Sequence, residues 1–224
     1  MKLSSETLSI LKNFSAINKS IRVKIGNNLR TIKVSKNVLA EVQIKEKFES
    51  EFALYDLNQF LSSFNLLEDP DLDFTNESYM LLKEGKKTIK YFYADPSVIV
   101  SPPDKKLSLP TQDITFVLDQ AHLDKIIKAK QIYQLDDLSV VGDGKDIKLL
   151  VQDKKNDTSN EYSILVGETT EKFCMNFKIE NLQLFPGSYE VVISRKNISK
   201  FTHKKMTLTY WVAMEPDSTF ESTS

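Results

Sequence analysis

Regularly spaced lysines near the start of this 224-residue chain are the first residues whose chemistry can be read from their spacing. Lys12 and Lys19 lie seven residues apart, so on a helix their side chains point the same way. The stripe that they define carries no acid; it consists of Lys2, Ser5, Ser9, Lys12, Ala16 and Lys19, opposite Leu8, Leu11, Phe14 and Ile17. Such a face suits an anionic ligand, but it is also typical of a helix that simply turns its charges to solvent. The residues alone leave both interpretations open.

The chain shows no signature of catalysis or metal binding. His122 and His203 have no cysteine or carboxylate at ligand spacing. "GDGKD" at 142–146 lacks the alternating acids and the distal glutamate of a calcium loop and predicts a hairpin turn. The acidic "EDPDLD" at 68–73 has no identifiable catalytic partner, and Cys174 lies in an apolar strand, where a buried structural residue is expected. We therefore predict a protein without enzymatic activity, bound metal or cofactor.

Composition narrows the class of protein further. The 30 basic and 31 acidic residues give a net charge of −1, which argues against a polycationic nucleic-acid binder but allows a local basic surface. One cysteine excludes an internal disulfide and favours a reducing compartment. No signal peptide and no apolar run of about 20 residues is present, so we expect a soluble intracellular protein without a membrane partner.

Hydrophobic periodicity predicts helices separated by antiparallel strands. Residues with helical spacing alternate with runs such as "IRVKIG", "VLAEVQI" and "YEVVIS", in which apolar residues recur at every second position. The predicted helices cover residues 5–18, 57–67, 119–133 and 180–185. Ser4 or Ser5 is the expected N-cap of the first helix, and Pro186-Gly187 ends the last one.

The chain is organised as two similar halves. Residues 95–111 hold four prolines and no periodic pattern, which predicts a connector between domains 1–94 and 112–224. The order helix, β-meander, helix, β-meander occurs on both sides of the connector, and the hydrophobic positions match at offsets of 115 to 125 residues. An α+β fold with an internal duplication is therefore expected.

Several strings along the chain resemble the sliding clamps of T4-like bacteriophages, the processivity factors of replicative DNA polymerases. They are "MKLSSETLSILKNFSAIN", "ALYDLNQFLSSFNLL", "YADPSVIV", "FPGSYEVVIS" and the terminal "PDSTF". The resemblance implies the DNA clamp fold, in which helices line a ring and sheets form its outer wall. It further implies a head-to-tail homotrimer around double-stranded DNA, bound without sequence preference, in which four helices per chain supply twelve inner helices.

The resemblance gives the lysines a function. Lining helices that meet a threaded duplex should be basic or small and polar, so it implies that Lys2, Lys12, Lys19, Lys125 and Lys128 face DNA. Lys125 and Lys128 lie opposite Leu123, Ile126 and Ile127, so these three are expected on the buried face. Lys130 lies among these apolar residues, and we expect its long side chain to reach out to solvent or to lie beyond the regular helix. The second helix contributes Asn58, Ser62 and Asn65 to the polar face. The fourth helix carries Gln183 where related clamps tend to have a basic residue, which leaves its contact with DNA open.

The resemblance also implies partners and a place of action. DNA polymerase would dock a short tail beside the connector and the end of the second domain, and late transcription factors are further candidates for tethering. An apolar pocket with a polar rim is the expected docking site. Its candidate residues are Val98, Ile99, Leu107, Met214 and Pro216. An ATP-dependent clamp loader would open the ring, in the cytoplasm of the infected bacterial host.

Two other classes of protein compete with this interpretation. A trimeric virion structural protein could have duplicated β-rich domains, but it has no need for helix faces without acids. A small enzyme would need a nucleophile, a base and an orienting acid in one cluster, and the sequence offers none that we can assemble.

Overall fold

The computed structural model describes residues 1–156 and 158–221. The chain divides into two compact units, Met1–Lys105 and Lys106–Ser224. The division falls inside the proline-rich segment 95–111. The limits predicted for the two domains, 1–94 and 112–224, stay a prediction.

The first unit contains two α-helices and seven strands. The helices are α1 (Ser5–Ile17) and α2 (Leu57–Ser63), and a 3₁₀ helix (Phe64–Leu66) extends α2. The strands are β1 (Ile21–Val23), β2 (Gly26–Ile32), β3 (Val38–Phe48), β4 (Phe52–Leu54), β5 (Asp71–Asp73), β6 (Tyr79–Glu84) and β7 (Lys87–Phe92). A second 3₁₀ helix (Pro96–Val98) begins the segment that leads out of the unit.

All strand pairs of the first unit are antiparallel. β1 pairs with β4, β2 with β3, and β5, β6 and β7 form a sheet in that order. The β1–β4 pair departs from the simple meander that the sequence predicted, because β1 finds its partner beyond β3. Phe14, Leu29, Val42 and Leu57 are buried in the core that α1 and α2 share with these strands.

In its described residues, the second unit contains one α-helix, α3 (Gln120–Tyr133), and nine strands. The strands are β8 (Ile114–Leu118), β9 (Asp137–Asp143), β10 (Asp146–Gln152), β11 (Tyr162–Glu168), β12 (Lys172–Lys178), β13 (Tyr189–Ser194), β14 (Ile198–His203), β15 (Leu208–Ala213) and β16 (Thr219–Glu221). One sheet has the order β11-β10-β9-β12-β16, and β15, β14, β13 and β8 pair successively. Its core holds Ile126, Met175, Phe177 and Tyr210.

The predicted repeat of elements is present in both units. In each, an α-helix is followed by four strands and a short helical segment; three strands follow that segment in the first unit and four in the described part of the second. The two helical segments differ: the first unit has α2, while the second has only the 3₁₀ helix Ile179–Asn181. The predicted fourth helix over 180–185 is therefore wrong, and Gln183 lies beyond the 3₁₀ helix on an exposed stretch.

The stretch after this 3₁₀ helix is held by close packing around one glycine. Gly187 has φ +148°, which L side chains rarely adopt, and a Cβ there would lie 2.0 Å from Nε2 of His203. His203 is buried, and its Nδ1 accepts hydrogen bonds from the backbone N–H groups of Lys205 and Met206, both at 3.1 Å. The string "FPGSYEVVIS" thus carries a structural constraint rather than a catalytic one.

Within the described residues, no helix is long and apolar enough to cross a membrane.

Candidate nucleic-acid interface

The first lysine face is built on α1, whose ends are both fixed. Ser4 is the N-cap, and its hydroxyl accepts a hydrogen bond from the Thr7 N–H at 3.2 Å. Glu46 on β3 accepts from the Thr7 hydroxyl at 2.6 Å and from the Ser4 N–H. The carboxyl of Glu46 is partly desolvated, which would raise its pKa, but these hydrogen bonds outweigh that and lower it. The start of α1 is therefore tied to the sheet beneath it.

Lys12 occupies the exposed face of α1. The buried residues of the helix are Thr7, Ile10, Leu11, Phe14 and Ile17, and the exposed ones include Ser5, Ser9, Lys12 and Ala16. The helix observed at 5–17 confirms the predicted one. Lys12 forms no ion pair with any residue that the structure describes. Its ammonium group is thus available to a ligand anion.

Lys2 and Lys19 lie just outside α1, and each contacts another side chain. Lys2 precedes the helix, and its ammonium group pairs with the carboxylate of Asp69, which raises the pKa of Lys2. Lys19 follows the end of the helix, and its Nζ lies 5.1 Å from the ring centre of Tyr55. Both lysines remain exposed, but only Lys12 lies on α1 itself. The stripe defined by helical spacing continues past both ends of the helix, where that spacing no longer fixes the direction of a side chain.

The second lysine face is built on α3, observed at 120–133 against a prediction of 119–133. Its buried residues are Leu123, Ile126 and Ala129, and Lys125 and Lys128 lie on the exposed side. Neither lysine pairs with an acid in the described part of the chain. The neighbouring carboxylate of Asp124 accepts a hydrogen bond from Gln120 at 2.8 Å and leaves both ammonium groups unpaired.

One side chain of α3 differs from its predicted position, and another lies as predicted. Ile127 was placed on the buried face, but it is 38% exposed, because Ala129 occupies the position that the helix turns toward the core. Lys130 reaches past the end of the helix to Asp136, with an Nζ–Oδ1 distance of 2.8 Å. Its side chain is 31% exposed, as expected for a lysine that extends along apolar surface.

The second helix presents small polar groups rather than charges. Asn58 and Ser62 on α2, and Asn65 in the 3₁₀ helix that follows, are all exposed. The Asp56 carboxylate caps α2 by accepting from the Gln59 N–H at 2.8 Å. Gln183, in the other unit, donates to the Glu180 carbonyl at 3.2 Å. These groups can meet phosphate through hydrogen bonds, without adding positive charge.

The groups that could have performed other chemistry have structural roles. Asp143 accepts hydrogen bonds from the N–H groups of Lys145 and Asp146 at the β9–β10 turn, which confirms the predicted hairpin. Cys174 is half-buried on β12, and burial raises the pKa of its thiol, which disfavours a nucleophilic role. No group of three or more His, Cys, Asp or Glu side chains among the described residues could hold a metal ion.

The residues predicted to dock partners fall into two classes of exposure. Ile99 and Met214 are buried, at 8% and 6% exposure, and so cannot form an open pocket without movement. Val98 is 62% exposed and Pro216 is also exposed, while Leu107 is half-buried. Val98 and Ile99 belong to the first unit, and the other three belong to the second.

Sequence analysis missed a cluster of cations in the first unit. Arg22, Lys24 and Arg30 line a cavity beneath residues 101–104. They lie on or beside two short strands that the sequence predicted as plain sheet, and no regular spacing links them. The signal that could have drawn notice is the density of basic residues in "IRVKIGNNLR".

The sequence of this chain is similar to those of known proteins over nearly its whole length. A family model described as DNA polymerase processivity factor matches residues 4–101. The chain is 31% identical over 222 residues to the sliding clamp of Vibrio phage KVP40, covering 96% of this chain and 99% of that one. It is 29% identical to the sliding clamp of Enterobacteria phage T4, covering 99% and 100%.

Solved structures share the fold at lower identity. PCNA from Thermococcus kodakaraensis matches with a TM-score of 0.70 at 16% identity, over 96% of this chain and 99% of that chain. The DNA polymerase III beta subunit from Borrelia burgdorferi matches with 0.70 at 12% identity, over 97% of this chain and 64% of that chain. The predicted α+β DNA clamp fold is therefore confirmed. This chain belongs to the sliding-clamp family of T4-like phages, whose members are non-enzymatic DNA polymerase processivity factors.

Proposed function

We propose that three copies of this chain close into a ring around double-stranded DNA and tether the replicative DNA polymerase to it. Lys12 on α1 and Lys125 and Lys128 on α3 carry this proposal, because they are exposed, unpaired with acids in the described chain, and fixed on helices with buried opposite faces. In the ring they would face the phosphates. Lys2 and Lys19 would add charge at the two ends of α1.

The proposed mechanism is topological. A closed ring cannot leave a duplex sideways, so its contacts with DNA need not be strong, and weak contacts let it slide. Lysine suits this task because its flexible, hydrated ammonium group meets phosphate without a fixed bidentate geometry. The contacts involve no base edges and so carry no sequence preference.

Open strand edges support head-to-tail assembly. β7 ends the β5-β6-β7 sheet and β11 ends the five-stranded sheet of the second unit, and neither has an outer neighbour among the described strands. Both edges expose apolar side chains, since Phe92 is 64% and Leu165 59% exposed. Lys90 stands on β7 and Glu168 on β11, so the two edges also offer opposite charges. Different edges that complement each other generate rings rather than two-fold dimers.

Partners beyond polymerase follow from the same proposal. An ATP-dependent clamp loader would open the ring, and late transcription factors would use it as a mobile tether. The cytoplasm of the infected bacterial host is the proposed place of action. A virion structural protein is not favoured, because the relatives covering nearly the whole chain are sliding clamps.

A charge-reversal experiment tests the proposed DNA-facing surface. Lys12→Glu combined with Lys125→Glu places carboxylates opposite phosphates in every copy, so loader-driven retention on nicked circular DNA should fall at least about tenfold at low salt. Mass in solution should stay that of a trimer, and wild-type protein should slide off when the circle is linearised. Retention is measured by gel filtration of labelled protein with the DNA.

Lys204→Glu combined with Lys205→Glu is the matched control. Both lysines are exposed in the β14–β15 turn and belong to neither α1 nor α3, and the change in charge is the same. The control should be retained like the wild type. Equal retention of the Lys12/Lys125 variant would show that these faces do not meet DNA, and a strict monomer at every concentration would refute the ring.

A further inference from the structure

The five-stranded sheet of the second unit has one open edge and one covered edge. Its order is β11-β10-β9-β12-β16, so β12 would end the sheet if β16 were absent. β16 has three residues and pairs antiparallel with the first three of the seven residues in β12. A strand this short offers a second molecule few backbone groups to pair with. β16 therefore replaces a long edge with a short one.

The segment that leads into β16 covers the next part of β12. The Glu215 N–H donates to the Asn176 carbonyl at 2.8 Å, and the Asn176 N–H donates to the Ser218 hydroxyl at 2.9 Å. A further strand could join β12 only through outward backbone groups such as these. Both groups of Asn176 are already bonded, so residues 215–221 close the edge of β12 from Lys172 to Asn176.

Two side-chain contacts hold this cover in place. The ring of Phe220 stacks on that of Phe173, with 6.0 Å between the ring centres and 2° between the planes, and Phe173 is only 4% exposed. The Lys154 ammonium group lies 2.8 Å from Oδ2 of Asp217, and this hydrogen bond lowers the pKa of that carboxyl. Asp217 is 58% exposed, so its ion pair contributes little to stability. The ring contact is the main one, and a single substitution at Phe220 should release β16.

The three-stranded sheet of the first unit shows the same arrangement. β7 has no outer neighbour among the described strands, and β5 forms the opposite edge. The Leu72 N–H on β5 donates to the Met1 carbonyl at 2.7 Å, and the Met1 nitrogen donates to the Leu72 carbonyl at 2.9 Å. In each of the two sheets that carry a proposed assembly edge, residues of the same chain thus cover the other edge.

An uncovered β12 would fit β11 of a second copy. Glu221 of β16 lies opposite Lys172, and opposite charges at such positions stabilise a strand pair. β11 has seven residues, as β12 does, and it ends in Glu168. An antiparallel β11 with Glu168 opposite Lys172 would pair with β12 over its whole length. β7 would instead bring Lys87 and Lys90 and no acid, so β11 is the favoured occupant.

We propose that the edge of β12 is a second pairing surface for β11 of another copy, and that residues 215–221 keep it closed. A contact between β11 and β12 would use the edge that the ring needs and leave β7 without a partner, so copies joined in this way would not close. The cover therefore directs β11 to β7. The inference rests on the proposed function, because it concerns a ring built from these two edges.

Two variants of the full-length protein test the cover. Phe220→Asp removes the stacked ring, and deletion of residues 215–224 removes the whole segment. The mass of both variants, measured by light scattering across a concentration series, should rise above that of the trimer, whereas the wild type should stay trimeric. Hydrogen exchange of the Asn176 amide should become at least about tenfold faster in Phe220→Asp, since an aromatic contact is lost. Val34→Asp is the matched control, because Val34 is 66% exposed in the β2–β3 turn.

Synthetic peptides distinguish an uncovered edge from general misfolding. A peptide of residues 215–221, added in excess to the deletion variant, should return its mass to that of the trimer, and a scrambled peptide should not. A peptide of residues 161–168, which contains β11, should slow exchange of the Asn176 amide in that variant. A peptide of residues 86–92, which contains β7, should leave this exchange fast. If the deletion variant does not fold, Phe220→Asp is measured with the same peptides.

Four outcomes would overturn the inference. Both variants could stay trimeric at every concentration, exchange of the Asn176 amide could be as slow in Phe220→Asp as in the wild type, peptide 215–221 could fail to restore the trimer, or peptide 86–92 could protect Asn176 as well as peptide 161–168. Retention on circular DNA is measured in parallel. A trimeric wild type that is retained, together with any of these outcomes, refutes only the covered edge, whereas a wild type that never forms a trimer refutes the proposed function.

Discussion

The second helical segments of the two units begin from similar sequence patterns and end as different structures. Phe52, Leu54, Leu57 and Phe60 in the first unit match Phe177, Ile179, Leu182 and Phe185 in the second. The first segment becomes α2, with an N-cap at Asp56 and seven helical residues. The second becomes a three-residue 3₁₀ helix, for which Lys178 at the N-cap supplies no side-chain hydrogen bond.

The difference shows that a hydrophobic pattern selects which side chains are buried, and local chemistry then decides whether a helix forms. Leu182 is buried, as Leu57 is, so both segments cover their cores. In the second unit Pro186 and Gly187 follow within a few residues and leave no room for another turn. The core contact is kept, but the described part of the second unit has no counterpart to the exposed polar face of α2.

The largest expected effect comes from altering the turn that ends the second segment. Gly187→Ala forces a Cβ to within 2.0 Å of His203 at a φ of +148°, so we expect a loss of about 2–4 kcal/mol in the free energy of unfolding. Chemical denaturation followed by circular dichroism measures it. Gly85→Ala is the control, because its φ is +56° and nothing lies within 4 Å of the added Cβ. A loss at Gly187 no larger than at Gly85 would show that His203 moves aside freely.

A smaller effect is expected from removing the cap that distinguishes α2. Asp56→Ala deletes the acceptor for the Gln59 N–H and should cost about 1 kcal/mol of stability. Asp56→Ser keeps an acceptor and should recover most of that loss. The readout is the denaturation midpoint together with hydrogen exchange of the Gln59 amide. If alanine and serine variants behave alike, the cap does not explain why α2 forms.

The smallest effect concerns the start of α1, where the sheet reinforces the N-cap through Glu46. Because hydrogen bonds from Thr7 and Ser4 lower the pKa of Glu46 in the folded state, their contribution is present above its ordinary value of 4.5 and is lost as the pH falls below it. Glu46→Gln should cost less than about 1 kcal/mol at neutral pH, since the amide oxygen still accepts one bond.

Measured across pH 3 to 7, the variant should lose less stability on acidification than the wild type does. Thr7→Ala, which removes one donor and keeps the carboxylate, should lie between the two. If all three proteins lose the same free energy of unfolding between pH 7 and pH 3, Glu46 contributes nothing to stability through its charge.

The sequence predicted α1 well because its apolar spacing and its Ser4 cap agree on the same limits. It misplaced Ile127, because Ile126 and Ile127 are equally apolar and only packing against the sheet reveals that Ala129 completes the buried side. The pairing of Lys2 with Asp69 joins residues 67 positions apart, and no local pattern can indicate such a contact.

The same limit applies to the candidate binding surfaces. The resemblance implied that Ile99 and Met214 belong to an open docking pocket, but both side chains are buried in the folded chain. The cavity beneath residues 101–104 escaped notice because Lys24 and Asp104 meet only through the tertiary structure. Periodicity indicates helix faces; it does not indicate cavities that distant segments form together.

The unpaired edges of β7 and β11 have a consequence for how copies of the chain assemble. If copies join edge to edge, each junction covers one β7 edge and one β11 edge. A linear pair therefore still has one free edge of each kind, as a single chain does. Only closure leaves no free edge. An open intermediate can then still add further copies, whereas a closed ring cannot. A mutation that changes the angle between neighbouring copies would prevent closure and lead to an open filament.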